Sequence, residues 1–194
     1  MNTRDIPDRL SSYLEYLAAV TRAEPAIHHF MPVDQESGRV LAATYANFPN
    51  PGYVTGFTYG LSLVDKPDWA AARRELCITV RSDDMEWTKI PSRMVASMRG
   101  ICSFNRGQAL GYAGVFVEES RMSSVLLAEP VVSLGGELVD LTSIKPYSRE
   151  PDLVEIIGVY PIYASERDLV YSSGFDALWN LPWDRVDPMR LPAA

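Results

Sequence analysis

The segment Val154–Tyr163 constrains the fold more than any other stretch of this chain. Val154, Ile156, Ile157, Val159, Tyr160 and Ile162 leave it almost continuously apolar over ten residues. That is too short for a bilayer span, and a run of apolar residues on both parities suits a strand covered on both faces. Such a strand demands a sheet with material packed above and below it, so the rest of the chain must supply flanking strands and two covering layers.

The remaining pattern supplies both. Leu10, Tyr13, Leu14 and Leu17 recur at helical spacing, which predicts an amphipathic helix with Asp5 as its cap, Pro7 in its first turn and Glu24-Pro25 at its end. Strands are predicted at Ala26–Met31, Val40–Phe48 and Val54–Val64. The last two form a hairpin about the proline-rich turn 48–53, with Phe57, Tyr59, Leu61 and Leu63 expected on one face. A strand over Glu75–Arg81 places Leu76, Ile78 and Val80 opposite Cys77 and Thr79. Ser82 or Asp83 then caps a helix reaching towards Met98, in which Pro91 marks either a kink or the start of a second helix. Further strands are expected at Gln108–Val117, Ser124–Val132 and Glu137–Ile144. A helix capped by Ser165 follows the central strand, Gly174 breaks it, and Phe175–Leu181 forms a last short helix before an irregular tail. These elements predict one α+β (mixed α/β) domain over residues 1–194, a central, mostly antiparallel sheet flanked by helices.

Composition narrows the function. The 194 residues carry a net charge of −7, with 47% hydrophobic and 22% charged residues. These are globular proportions, and the acidic balance disfavours a nucleic-acid binder, which needs a basic stripe. No apolar run reaches the roughly 20 residues of a membrane helix, and residues 1–10 lack the apolar core of a secretion signal. A cytoplasmic location with reduced thiols is expected for Cys77 and Cys102.

The residues of catalysis are sparse. The two histidines, His28 and His29, are adjacent in a predicted strand and point to opposite faces, so they cannot share one ion. No cofactor motif is present: Gly111-Tyr112-Ala113-Gly114 lacks the lysine and the strand-to-helix context of a phosphate loop. Cys77 falls in a strand expected to be buried, whereas Cys102 follows a helix, and a nucleophilic Cys102–histidine pair stands as the enzymatic alternative. Glu118-Glu119 and Asp83-Asp84 read as surface acids and helix caps. Among the tryptophans, Trp87 and Trp179 are expected in the core. Trp69 and Trp183, set among Pro and Asp residues, are expected to be the more exposed pair, and for them core and interface roles both stay open.

Several segments in a fixed order resemble a known family. They are Thr58-Tyr59-Gly60-Leu61-Ser62, Pro67-Asp68-Trp69, Glu75–Val80 with Arg81-Ser82-Asp83-Asp84, Arg99-Gly100, Glu119–Ser123, Leu126–Pro130, Ile157–Tyr163 and Gly174–Leu178. Together, from about residue 44 to 181, they resemble the suppressor-of-fused family. The resemblance implies a sheet flanked by helices, no catalytic centre, no cofactor and a protein partner. In the animal members a transcription-factor peptide is clamped between two lobes, partly by strand addition. This chain is similar to the N-terminal lobe alone, so that clamp is not carried over. Glu129 aligns with a position of the peptide groove, and Gln108 falls near an acidic groove position without being acidic. Compact bacterial relatives look like immunity proteins that neutralise a cognate toxin. The protein-binding candidates are therefore Trp69, Gln108, Glu119, Glu129 and Trp183, and a structural homo-oligomer is the further alternative.

Overall fold

A computed structural model describes residues 5–69, 72–112 and 117–194. Eight strands form one sheet: β1 (Ala26–Phe30), β2 (Val40–Ala46), β3 (Tyr53–Tyr59), β4 (Arg73–Arg81), β5 (Ala109–Gly111), β6 (Ser124–Ala128), β7 (Leu138–Asp140) and β8 (Leu153–Ile162). Their order is β1-β2-β3-β4-β8-β6-β5, and β7 pairs with the first residues of β8 on the same side as β6. All pairings are antiparallel except β4 with β8. The apolar run Val154–Tyr163 thus forms an interior strand, β8, flanked by β4 on one side and by β6 and β7 on the other.

β6 and β7 follow each other along the same side of β8, and between them the chain passes over the face of β8, where a glycine gives it room. A Cβ on Gly158 would stand 2.5 Å from the Glu129 carbonyl oxygen and 2.8 Å from Pro130 Cα. Gly56 plays the same part on the other face, where a Cβ would meet the Thr88 carbonyl oxygen at 2.1 Å. Thr88 belongs to a 3-10 turn, Met85–Lys89, that leads into α2 (Ile90–Met98). Pro91 therefore begins a separate helix, in the first turn where its missing N–H costs nothing.

This turn and α2 cover one face of the sheet, over Val54, Leu76, Ile78, Val125, Leu127, Ile157 and Val159. The other face carries α1 (Pro7–Thr21) at one end, against Leu41, Phe57, Tyr59 and Ile156. At its other end lie α3 (Ala164–Ser173) and α4 (Phe175–Trp179), against Leu126, Tyr160 and Ile162.

Several local expectations are corrected. Asp5 does not cap α1; its carboxylate accepts from the Arg39 backbone N–H at 3.0 Å and pairs with the Arg39 guanidinium at 2.7 Å. Leu61 and Leu63 lie in opposite layers, because β3 ends at Tyr59. Beyond it the buried Glu75 carboxylate collects the Gly60 and Ser62 N–H groups and the Thr58 and Ser62 hydroxyls, bending the chain out of the ladder. Asp84, rather than Ser82 or Asp83, caps the 3-10 turn by accepting from Glu86 N–H at 2.8 Å. Ser165 lies inside α3, and Glu166 caps it by accepting from Tyr163 N–H at 2.8 Å. Of the strand expected over 108–117, β5 covers 109–111, and residues 113–116 lie outside the described residues.

The tail beyond Pro182 is irregular yet docked. Arg190 makes a bidentate pair with Glu166 at 2.6 and 2.7 Å, and Arg81 N–H donates to the Val186 carbonyl at 2.7 Å. No helix among the described residues is long and apolar enough to cross a membrane.

Candidate functional site

Four of the five sequence candidates gather at one end of the sheet, and one of them, Glu129, lines a cavity there. The end of β6, the loop before β5 and α4 enclose a largely apolar cavity of about 330 Å³, lined by Arg106, Gly107, Ala128, Glu129, Phe175 and Trp179. Phe175 and Trp179 are four residues apart on α4, so their rings share one face and stack at 5.1 Å. Tyr160 from β8 meets Trp179 edge-on at 5.3 Å, and Trp183 meets it edge-on at 6.1 Å. The Arg185 guanidinium lies 4.1 Å from the Trp179 ring centre and donates to the Trp179 carbonyl at 2.7 Å. Burial pushes the Tyr160 hydroxyl up to about 12, so it stays protonated and donates to the Glu129 carbonyl. That bond ties the rim of the cavity to the central strand.

The rim is held by alternating charges. Glu129 is largely exposed and pairs with Arg106. Arg106 also pairs with Glu155 at 2.8 Å, and Glu155 pairs with Arg74 at 3.2 Å. Arg74 stacks 5.6 Å from the Trp69 ring and donates to the Ser103 carbonyl, which the Trp69 indole N–H also reaches at 2.8 Å. Trp69 is therefore a support beneath the loop that carries Arg106, only 9% exposed. Its expected surface position is corrected: two donors converging on one carbonyl fix the ring against the core. Trp183 is half-buried, because its indole N–H donates to the Leu178 carbonyl at 3.0 Å and Arg190 stacks 4.4 Å from its ring. It backs the Trp179 cluster and is not a free aromatic anchor. Gln108 sits beside the cavity, where its side-chain oxygen accepts from Asn105 N–H at 3.1 Å and so shapes the loop. Glu119 does not join the group; it is exposed beside the docked tail, with Ser120, Arg121 and Met189.

The adjoining sheet edge is closed to easy pairing. Leu127 bonds both to Gly107 N–H, through its carbonyl, and to the Gln108 carbonyl, through its N–H, so two residues oppose one in a β-bulge. The Tyr171 hydroxyl of α3 donates to the Ala109 carbonyl at 3.1 Å, and Arg167 lies over Gly111.

Chemistry of the bond-making kind finds little support here. Burial pushes the Cys77 thiol up to about 12 and also raises Cys102, whose sulfur lies 3.8 Å from the Gln108 side-chain oxygen. His28 Nε2 lies 3.2 Å from the Thr44 hydroxyl, and His29 is exposed on the neighbouring position of β1. No hydrogen bond joins a cysteine to a histidine among the described residues. A raised pKa is the reverse of what activates a thiol. Among the described residues no group of three His, Cys, Asp or Glu side chains is placed to hold a metal.

Of the residues lining the cavity only Glu129 was a sequence candidate; the large side chains of Arg106, Phe175 and Trp179 were not. The i,i+4 aromatic spacing of the last two was a usable signal. Arg106 carried none, since its role depends on two acids from β6 and β8.

The family model that describes the suppressor of fused protein (SUFU) matches residues 35–191. The chain belongs to the suppressor of fused family. No curated protein sequence matches it. Solved structures with the same fold include the SUFU homolog of Neisseria gonorrhoeae FA 1090, at 14% identity and a TM-score of 0.68, with 96% of this chain and 97% of that one covered. Another is the Sufu–Fu complex, at 11% identity and a TM-score of 0.63, covering 96% of this chain and 93% of that one. A third is Drosophila Suppressor of Fused, at 11% identity and a TM-score of 0.60. This suppressor-of-fused domain covers 51% of the Drosophila chain.

Proposed function

We propose that this suppressor-of-fused domain is a non-enzymatic protein-binding module whose recognition surface is the cavity between α4 and the end of β6. The observation that carries the proposal is the stacked Phe175–Trp179 pair beside an exposed Glu129–Arg106 ion pair: an aromatic floor with a charged rim, the composition of an interaction hot spot. The Sufu–Fu complex, in which a protein of this fold is joined to a protein partner, supports the same reading. Because the β5 edge is bulged and held by Tyr171, the partner enters by side chains rather than by adding a strand. A cytoplasmic setting fits the two unpaired cysteines.

The narrower form of the proposal is that the partner is a cognate toxin. Its support is the resemblance to compact bacterial immunity proteins and the acidic balance of −7, which steers a basic partner. Co-expression with a toxin gene taken from the neighbouring reading frame tests it: the parent chain should rescue growth, and the Glu129→Arg, Phe175→Ala double variant should not. Capture of a partner equally well by that folded double variant would refute the assigned surface. A partner that is captured but has no toxic activity would refute the narrower form alone.

A further inference from the structure

The two outer strands of the sheet differ in one respect that bears on self-association. β5 is three residues long, bulged, and covered by Tyr171 and Arg167. β1 has none of these protections. Its five residues pair with β2 in an unbroken register, no described strand pairs with its outer side, and residues 26–31 contain neither a charge nor a proline. Unprotected edges of this kind pair with other strands.

The exposed side chains of β1 say which strand. Ile27 and His29 lie opposite Ala43 and Leu41, on the α1 side of the sheet; Met31 follows directly after β1, ahead of Pro32, and extending the strand by one residue puts it on the same parity. Ile27 is 38% and Met31 79% exposed, and they flank His29 at equal distance along the chain. An antiparallel pairing about a two-fold axis at His29 sets each Ile27 against the partner copy's Met31, and each His28 against the partner copy's Phe30. Two symmetric apolar contacts thus follow from the strand's own spacing, which is the self-complementarity a two-fold interface requires. The uncharged stretch also lets two copies approach although each carries −7.

We propose that this domain forms a two-fold dimer through β1, which joins two eight-stranded sheets into one. The inference is independent of the proposed function, because β1 and the Glu129 cavity lie at opposite ends of the sheet. The contact is small for a stable dimer, so the equilibrium should respond to concentration.

Sedimentation equilibrium over about 5–500 µM of the full chain tests it, since small interfaces dissociate in this range. The weight-average mass should climb from 21.6 kDa towards twice that value. A mass that stays at 21.6 kDa at the highest concentration overturns the proposal. His29→Glu and His29→Lys change an exposed position; each alone should remain monomeric, through like charges meeting at the axis, while an equimolar mixture should recover the dimer. Met31→Lys should weaken association by about tenfold or more, the loss expected when a charge displaces a buried apolar contact. Dimerisation by folded His29→Glu alone, or a mixture that stays monomeric, overturns the assigned interface.

Discussion

Replacing Arg190 by alanine tests how the irregular tail is held. In the native chain its guanidinium meets the Glu166 carboxylate through two bonds of 2.6 and 2.7 Å, and the two side chains are 6% and 0% exposed. Removing one partner of a buried pair costs about 3–5 kcal/mol, chiefly because the other charge is left without a counter-ion. Glu166 keeps two backbone donors, Tyr163 N–H at 2.8 Å and Ala193 N–H at 2.7 Å, so the lower end, about 3 kcal/mol, is expected. That is a large share of the ~5–15 kcal/mol by which a domain is stable. With a urea dependence of about 2 kcal/mol per molar, the unfolding midpoint should fall by about 1.5 M. Tryptophan fluorescence follows the transition directly, since the Arg190 guanidinium lies 4.4 Å from the Trp183 ring. The double variant Arg190→Ala, Glu166→Gln should regain more than half of the loss, because no charge remains buried while the cap on α3 persists. A midpoint change below ~0.3 M for Arg190→Ala, well under the change calculated above, would refute the reasoning. So would a double variant less stable than the sum of its parts.

Asp152 contributes to the acid limb of stability. Burial alone would raise its pKa, but the Arg9 guanidinium, the Tyr147 hydroxyl and Arg73 together hold it below the usual carboxylate range. A depressed carboxylate stabilises above its unfolded pKa of about 3.9 and loses that contribution as pH falls through the folded value. Asp152→Asn should therefore be less stable than the parent at pH 7, and urea midpoints of the two should converge between pH 5 and pH 2. Gly158→Ala forces a Cβ to within 2.5 Å of a backbone oxygen and should cost about 3 kcal/mol or more, whereas Gly100→Ala, with no atom within 4 Å, should gain up to ~1 kcal/mol; thermal melts compare them. Cys77 and Cys102 should react with a disulfide reagent at least ~100-fold slower in the native protein than in denaturant; fast native labelling of Cys102 would revive the enzymatic alternative.

What was legible in the sequence follows the range over which each signal acts. Strand existence, the position of β8 at the centre and the break at Gly174 depend on periodicity and backbone freedom, which a few neighbouring residues determine. Helix caps were misplaced by one or two positions: Asp84 rather than Ser82 or Asp83 caps the turn before α2, and Ser165 lies inside α3. Asp5, drawn to Arg39 instead of α1, is the clearest instance. Leu61 and Leu63 were assigned to one face because alternation was carried past Tyr59, and the reason to stop there was Glu75, sixteen residues beyond Tyr59 in sequence. Trp69 failed for the same cause: its neighbours Pro67 and Asp68 look like a surface turn, and only the Ser103 carbonyl, contributed by another loop, fixes the ring inward.

The cavity shows the same limit turned to use. Glu129 could be selected from the sequence because it belongs to a local segment with a recognisable order, Leu126–Pro130. The spacing of Phe175 and Trp179 could pair those two rings, but not place them beside Glu129 and Arg106, since the loop and the helix meet only after β5, β6 and β8 have assembled. The Glu129 backbone is pinned twice, by the Tyr160 hydroxyl on its carbonyl and by the absence of a Cβ at Gly158 beneath it. On a backbone so tightly fixed only the side chain's own rotamer freedom remains to be lost when a partner binds, which lowers the cost at which a rim charge contributes to recognition. The same fixing makes the site depend on β8, so the strand that most constrained the fold also sets the geometry of the surface proposed for function.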